Sequence, residues 1–137
     1  MLIHNHLNIS GPQDDIDRIA SAFIFSSPFG ELFPLPPLER QTVEAIESQR
    51  IRMWGTPHEA FRCRLVDIIG NTLCVEFWTT DSEPEPFMRF LARLYPKVIG
   101  VCQFMSDGRT FARSGTMKIA NGKVFTRSYT KPMKEYA

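Results

Sequence analysis

The chain has 137 residues, of which 43% are hydrophobic and 23% are charged, and its formal net charge is +1. This size fits one domain, residues 1–137, with enough apolar material for its own core. The near-neutral charge excludes a general electrostatic attraction to nucleic acid or membranes. No apolar run approaches the length of a membrane span, so no membrane association is expected.

The charges are nevertheless unevenly distributed along the chain. Residues 13–48 contain seven acids and two bases, whereas residues 109–137 contain seven bases and one acid. We interpret the acidic part mainly as a solvated helix surface. Mimicry of nucleic-acid phosphates is the alternative, and the low net charge argues against it.

Cysteine usage indicates the redox environment. The three cysteines, Cys63, Cys74 and Cys102, are an odd number without CxxC spacing. The first residues lack the pattern of a signal peptide because polar side chains such as His4 and His6 interrupt them. We therefore expect free thiols in the cytoplasm of a host cell.

The first half of the chain predicts a strand, a helix and an insert. Residues 2–9 alternate as a strand does, and Ser10 with Gln13 fits a capping box that opens a helix ending near residue 24. Residues 26–37 contain four prolines and predict a loop, followed by a short helix at 38–48 and an irregular stretch at 54–57. One face of the strand would carry Ile3, Asn5, Leu7 and Ile9.

The second half predicts two strands, a helix and further strands. Residues 61–69 and 72–79 alternate around a turn at residues 70–71. Ser82 with Glu85 fits a second capping box, and Pro96 ends the helix that follows. Residues 98–105 predict a buried strand, and Asp-Gly at 107–108 and Asn-Gly at 121–122 predict hairpin turns.

This order of elements indicates an α+β fold. It matches the ferredoxin-like split βαβ (βαββαβ), with a short helical insert after the first helix and an extra C-terminal hairpin strand. The interior of such a fold is one sheet covered by helices, so we expect a single domain.

Four segments of the chain together resemble one family. They are residues 5–12 (NHLNISGP), 54–61 (WGTPHEAF), 77–84 (FWTTDSEP) and 107–122, which ends in Asn-Gly. The chain resembles the YubB-like group of ferredoxin-like proteins of phages and conjugative plasmids. It departs from the group where His58 stands near the place of a second Trp. The resemblance implies the fold and a mobile-element origin, and it leaves the mechanism open.

Neither a metal site nor a catalytic site is predicted. His4 and His6 lie two apart on one strand, and we interpret them as polar-face histidines beside buried thiols rather than as metal ligands. The acids around residues 81–85 are interpreted as stabilising a helix N-terminus. No hydrolase, metalloprotease or nucleotide-binding motif occurs, and no cofactor is expected. A Cys–His pair assembled by the fold stays open, although the thiols are expected to be buried.

The Asn-Gly turn at 121–122 sets the register of a terminal hairpin and predicts its two faces. The core-facing side would carry Met117, Ile119 and Val124, with Thr126. The outer side, which we name the hairpin face, carries cations interleaved with rings: Lys118, Lys123, Phe125, Arg127 and Tyr129.

Three interpretations of the hairpin face are open. Cations and rings together are typical of single-stranded nucleic-acid binding, with charge for phosphates and rings for bases. The same residue types form protein–protein hot spots. They also form plain cross-strand pairs shielded by Lys and Arg stems.

The function expected from these observations is non-enzymatic. We expect a mobile-element protein that acts by binding a host protein, specifically an inhibitor of a host defence system such as a CRISPR effector. The alternative is a single-stranded nucleic-acid-binding module that uses the hairpin face. The last strand is also expected to have a free edge, through which two copies of the chain can pair as a homodimer.

Overall fold

The computed structural model describes residues 1–106 and 111–132, which form six strands and four helices. In chain order the elements are β1 (Leu2–Ser10), α1 (Gln13–Ile24), α2 (Pro28–Leu32), α3 (Val43–Trp54), β2 (Phe61–Ile69), β3 (Thr72–Thr80), α4 (Glu85–Leu94), β4 (Ile99–Ser106), β5 (Phe111–Ala120) and β6 (Lys123–Pro132). No described helix has both the length and the apolar character that crossing a membrane requires.

All six strands belong to one antiparallel sheet with the order β2-β3-β1-β4-β5-β6. Both β1 and β2 pair antiparallel with β3, so they run parallel to each other with β3 between them. The predicted α+β class is confirmed. The strand order is consistent with the split βαβ expectation, and β5 and β6 extend the sheet beyond β4.

The helices cover one face of the sheet, because alternate strand residues and the inner sides of the helices share one core. In β1 the predicted core positions Ile3, Leu7 and Ile9 are at most 1% exposed. Three phenylalanine rings from different elements are in contact between the helices and the sheet: Phe29 of α2, Phe77 of β3 and Phe87 of α4. Burying each of these rings contributes roughly 2–3 kcal/mol, so they tie the helices to the sheet.

Asn5 is polar yet lies on the core face of β1, as its position in the alternation predicts. Its Nδ2 donates to Thr79 Oγ1 at 3.0 Å and to the carbonyl of Ile3 at 3.2 Å. Thr79 in turn donates to the carbonyl of Ser82 at 2.7 Å. The buried amide therefore links the centre of the sheet to the segment that precedes α4.

Both predicted capping boxes are wrong, although the helices begin close to where they were expected. Ser10 still belongs to β1, and Pro12 occupies the cap position of α1 without a side-chain bond. Ser82 donates instead to the carbonyl of Gly55, and Pro84 occupies the cap position of α4, also without a side-chain bond. The Ser82 hydroxyl is used in a loop contact, and neither helix start has a side-chain capping bond.

The insert between α1 and β2 is more helical than predicted. The segment expected to be a loop contains α2, and the helix expected at 38–48 runs instead as α3 from Val43 to Trp54. Thr42 caps α3 by accepting from the amide of Ala45, and Gly55 ends it with a φ of 92°, a left-handed conformation that glycine adopts without strain.

Glu59 fixes the insert to the start of β2. Its Oε1 accepts from the amide of Phe29 at 2.9 Å, and its Oε2 accepts from the amide of Gly30 at 2.8 Å. These two amides are orphan donors of the first turn of α2. One carboxylate thus satisfies the N-terminus of a helix too short to be stable alone.

The terminal strands differ from the prediction in one respect. The strand expected at 98–105 is present as β4, but it is not buried on both faces as expected. Only alternate residues such as Cys102 and Phe104 are buried. The Asn-Gly turn at 121–122 is confirmed, because Asn121 and Gly122 have φ values of 55° and 72°. The expected Asp-Gly turn at 107–108 lies outside the described residues.

Candidate functional site

The sheet has a second face, which none of the described helices covers. We name it the open face, and its residues alternate with the buried ones along each strand. Partner residues in register form rows that cross the sheet from β2 to β6. One row, the aromatic row, consists of Phe61, Trp78, His4, Met105, Ser114 and Tyr129.

The next row towards the other end of the strands is polar. This polar row consists of Arg64, Glu76, His6, Gln103, Thr116 and Arg127. The row beyond it consists of Asp67, Cys74, Asn8, Val101, Lys118 and Phe125. The open face therefore presents rings, hydrogen-bonding groups and charges in a fixed grid.

The structure places the predicted hairpin face on this open face. The register of β5 and β6 pairs Lys118 with Phe125, as the two-residue turn predicts. Phe125 and Tyr129 are 61% and 60% exposed, while Met117 and Ile119 on the reverse side are buried. The predicted inner side is confirmed for Met117 and Ile119, while Val124 is only partly buried against the core and Thr126, which was expected beside them, is exposed.

The sequence did not show that the hairpin face is continuous with a surface formed by β1, β3 and β4. Tyr129 shares its row with Met105, His4 and Trp78, which come from three other strands. The rings of His4 and Trp78 are in contact, with centroids 5.0 Å apart. Only the strand order brings these residues together. The sequence offered one signal for this surface: the alternation in β1, which places His4 and His6 on the side opposite the core.

A cleft of about 410 Å³ lies in the middle of the open face, above β5. Its lining residues come from β1, β4, β5 and β6 and are His4, His6, Gln103, Phe104, Met105, Ser114, Gly115, Thr116 and Tyr129. Its size is within the range of small-molecule sites. Tyr129 is the member of the predicted site that lines it.

The charges of the open face are paired around Glu76 but not at the hairpin end. Glu76 is in contact with Arg64 at 3.1 Å, with His6 at 3.6 Å and with His4 at 3.9 Å. Within residues 1–106 and 111–132, Lys118, Lys123 and Arg127 form no ion pair. The hairpin end of the face therefore has cations free to meet an anion.

A second cleft, of about 420 Å³, lies where β6 meets α4 at the edge of the sheet. It is lined by Arg89 and Arg93 of α4 and by residues 122–125. Arg89 is engaged by Glu85 one turn earlier in the helix. The positively charged surface around Lys123 and Phe125 therefore continues past the sheet edge to the arginines of α4.

The fold does bring one cysteine and one histidine together. His6 Nε2 lies 2.9 Å from the Sγ atom of Cys74 on the open face. The expectation that all three thiols are buried is wrong for Cys74 and for Cys63, which are only partly buried, and it is confirmed for Cys102 alone. Desolvation and the nearby carboxylates of Glu76 and Asp67 raise the pKa of Cys74, which disfavours the nucleophilic thiolate.

The other two thiols are poorer nucleophiles. Burial raises the pKa of Cys63 to about 11, and burial raises the pKa of the fully buried Cys102 further. Within the part of the chain that the structure describes, no three His, Cys, Asp or Glu side chains are grouped so as to hold a metal ion.

No protein-family model, curated protein or solved structure matches this chain. The resemblance to the YubB-like group therefore stays a prediction.

Proposed function

We propose that this chain is a ferredoxin-like binding domain whose open face holds single-stranded nucleic acid. The supporting observation is that exposed rings and unpaired cations alternate on one continuous, uncovered sheet face. Single strands are bound by this combination, because cations contact phosphates while rings stack on bases regardless of sequence. Bases stacked on a four-stranded sheet are a known mode of RNA recognition in another ferredoxin-like domain.

The overall net charge of +1 does not conflict with this proposal. The field that a strand meets is local, and the hairpin end of the face has Lys118, Lys123 and Arg127 without an acidic partner among the described residues. The acids of α1, such as Asp14 and Asp17, lie on the helical side of the molecule. Charge of opposite sign on opposite sides would orient the domain on a strand.

Binding is proposed rather than catalysis. The thiols of Cys63, Cys74 and Cys102 all have raised pKa values, so a thiolate nucleophile is disfavoured at neutral pH.

The test is fluorescence anisotropy with labelled single-stranded DNA and RNA of about 12 nucleotides, a length within the site sizes of sheet-based binders. We expect the double variant Phe125→Ala/Arg127→Ala to lose most of the affinity. The matched control is Thr126→Ala/Ser128→Ala on the same strand, whose side chains point to the other side of the sheet. A wild-type protein that binds no single strand at low salt would refute the proposal.

The second candidate is a protein partner, and the exposure of apolar groups favours it. Phe125 and Met105 are each 61% exposed on the open face, and such groups anchor protein interfaces. Under this proposal the chain is a non-enzymatic mobile-element protein that binds a host protein, for example as an inhibitor of a CRISPR effector.

A tagged pull-down from host lysate, half of it treated with nuclease, separates the two candidates. A stoichiometric protein that survives nuclease and is lost with Phe125→Ala/Arg127→Ala supports the protein partner. Recovery only of nucleic acid, or of proteins released by nuclease, supports the first proposal.

A further inference from the structure

The open face is not flat, because the side chains of β5 are short where those of β4 and β6 are long. In the aromatic row Ser114 stands between Met105 and Tyr129. In the polar row Thr116 stands between Gln103 and Arg127. The result is a slot along β5, and the cleft of about 410 Å³ occupies it.

The slot has the width of one flat ring. Adjacent strands lie about 4.8 Å apart, so the backbones below Met105 and Tyr129 are roughly 9.6 Å apart. A planar ring between two side chains needs about 3.5–4.0 Å on each side, or roughly 7–8 Å in total. Ser114 is small enough to leave this space open.

The chemistry of the slot suits a base more than an aliphatic side chain. One wall is the phenol ring of Tyr129, and the other is the thioether of Met105, which makes favourable contacts with aromatic rings. Hydrogen-bonding groups line the interior, namely Gln103, Ser114 and Thr116. These groups can meet the polar edge of a base, whereas a hydrocarbon would leave them unsatisfied.

A phosphate position lies next to the slot. Arg127 is two residues from Tyr129 on β6 and therefore points to the same side of the sheet. It is exposed and has no ion-pair partner among the described residues. A nucleotide with its base in the slot can place a backbone phosphate against this guanidinium.

We propose that the slot receives a single nucleobase of a bound strand, stacked between Met105 and Tyr129, with a flanking phosphate on Arg127. This inference rests on the proposed function and specifies where one base is held. It predicts that a base, and not only the phosphate backbone, contributes to affinity.

The test fills the slot and leaves the charges unchanged. Ser114→Leu places a larger side chain on the slot floor, and the control Ser128→Leu makes the same change at an exposed residue whose side chain points away from the open face. Affinity is measured by anisotropy with a labelled oligo-dT and with an abasic sugar-phosphate strand of equal length. Circular dichroism and thermal unfolding verify that both variants fold.

We expect Ser114→Leu to weaken oligo-dT binding by about tenfold or more, the effect of losing one stacked base, while Ser128→Leu binds as the wild type does. The affinity of the wild type for the abasic strand should be no higher than the affinity of Ser114→Leu for oligo-dT. Met105→Ala, which removes one exposed wall, should reproduce the loss if Ser114→Leu does not fold.

Two outcomes would overturn the inference, and they are distinguishable. If Ser114→Leu and Met105→Ala bind oligo-dT normally while Phe125→Ala/Arg127→Ala does not, the slot holds no base and the proposed function stands. If the wild type binds neither oligo-dT nor other single strands, the proposed function fails and the slot assignment fails with it.

Discussion

The carboxylate of Glu83 forms an ion pair with the guanidinium of Arg113, and this contact joins the segment before α4 to β5. The Glu83 side chain is 4% exposed, whereas that of Arg113 is 38% exposed. The pair thus holds the added hairpin against the helical layer, on the side of the sheet opposite the open face.

Removal of Arg113 should destabilise the fold strongly. Arg113→Met leaves the carboxylate of Glu83 buried without a counter-charge, which costs about 3 kcal/mol of unfolding free energy. Urea unfolding measures this loss. The double variant Glu83→Gln/Arg113→Met should recover part of it, and a loss below about 1 kcal/mol would show that the pair is well solvated.

Gly115 should not tolerate a side chain. A Cβ atom there would lie 2.2 Å from the carbonyl oxygen of Arg127 and 2.6 Å from Cζ of Phe104. Gly115→Ala therefore forces β6 or the Phe104 ring to move, at a cost of roughly 1–3 kcal/mol. Thermal unfolding measures the effect, and the neighbour Ser114→Ala on the open face is the control that should change little.

Glu59 should be needed for the structure of the insert. Glu59→Ala removes the acceptor for the amides of Phe29 and Gly30, which is expected to cost about 1–2 kcal/mol. Glu59→Gln should recover part of this, because one of its two terminal atoms is still an acceptor. Hydrogen exchange at α2 measures the effect, and unchanged protection in Glu59→Ala would contradict the role assigned to this carboxylate.

The thiol of Cys63 should alkylate slowly and with a steep pH dependence. Its pKa of about 11 leaves roughly one thiolate in a thousand at pH 8, because the fraction falls tenfold for each unit below the pKa. The rate with iodoacetamide should therefore rise about tenfold per pH unit up to that pKa. Peptide-resolved mass spectrometry follows each thiol, and Cys102 should react only on unfolding.

The salt dependence of oligonucleotide binding should show how many cations contact phosphates. If Lys118, Lys123 and Arg127 each neutralise one phosphate, the logarithm of affinity should fall with the logarithm of salt with a slope of about −2. Lys118→Ala should reduce the magnitude of this slope by about 0.7. A slope near zero would show that phosphates are not the ligand of these side chains.

The elements that the sequence predicted best are those set by local chemistry. The Asn121–Gly122 pair favours one turn type, so the register of the hairpin and the outward position of Phe125 followed from it. The alternation in β1 likewise predicted the buried side of that strand, including Asn5. Both features depend on a few consecutive residues.

The predictions that failed concern competition between partners distant in the chain. Ser82 satisfies the carbonyl of Gly55 rather than a helix amide, and no local pattern reveals that choice. The bounds of α3 are an exception with a local cause, because the helix begins after the Thr42 cap and ends at Gly55, both later than expected. The slot was not predictable, since Met105 and Tyr129 become neighbours only through the pairing of β4 with β5 and of β5 with β6.

The two edge strands differ in regularity. The pairing of β2 with β3 shifts register twice, and Arg62 in β2 has a left-handed φ of 49°, so the outer side of β2 offers an interrupted ladder. In contrast, β6 pairs with β5 without a shift over ten residues. Among the described strands, β6 is therefore the edge along which we expect a second copy to pair, and a contact made by the same edge of both molecules would be self-limiting. We would expect such growth to close at a twelve-stranded pair rather than to propagate into a fibre.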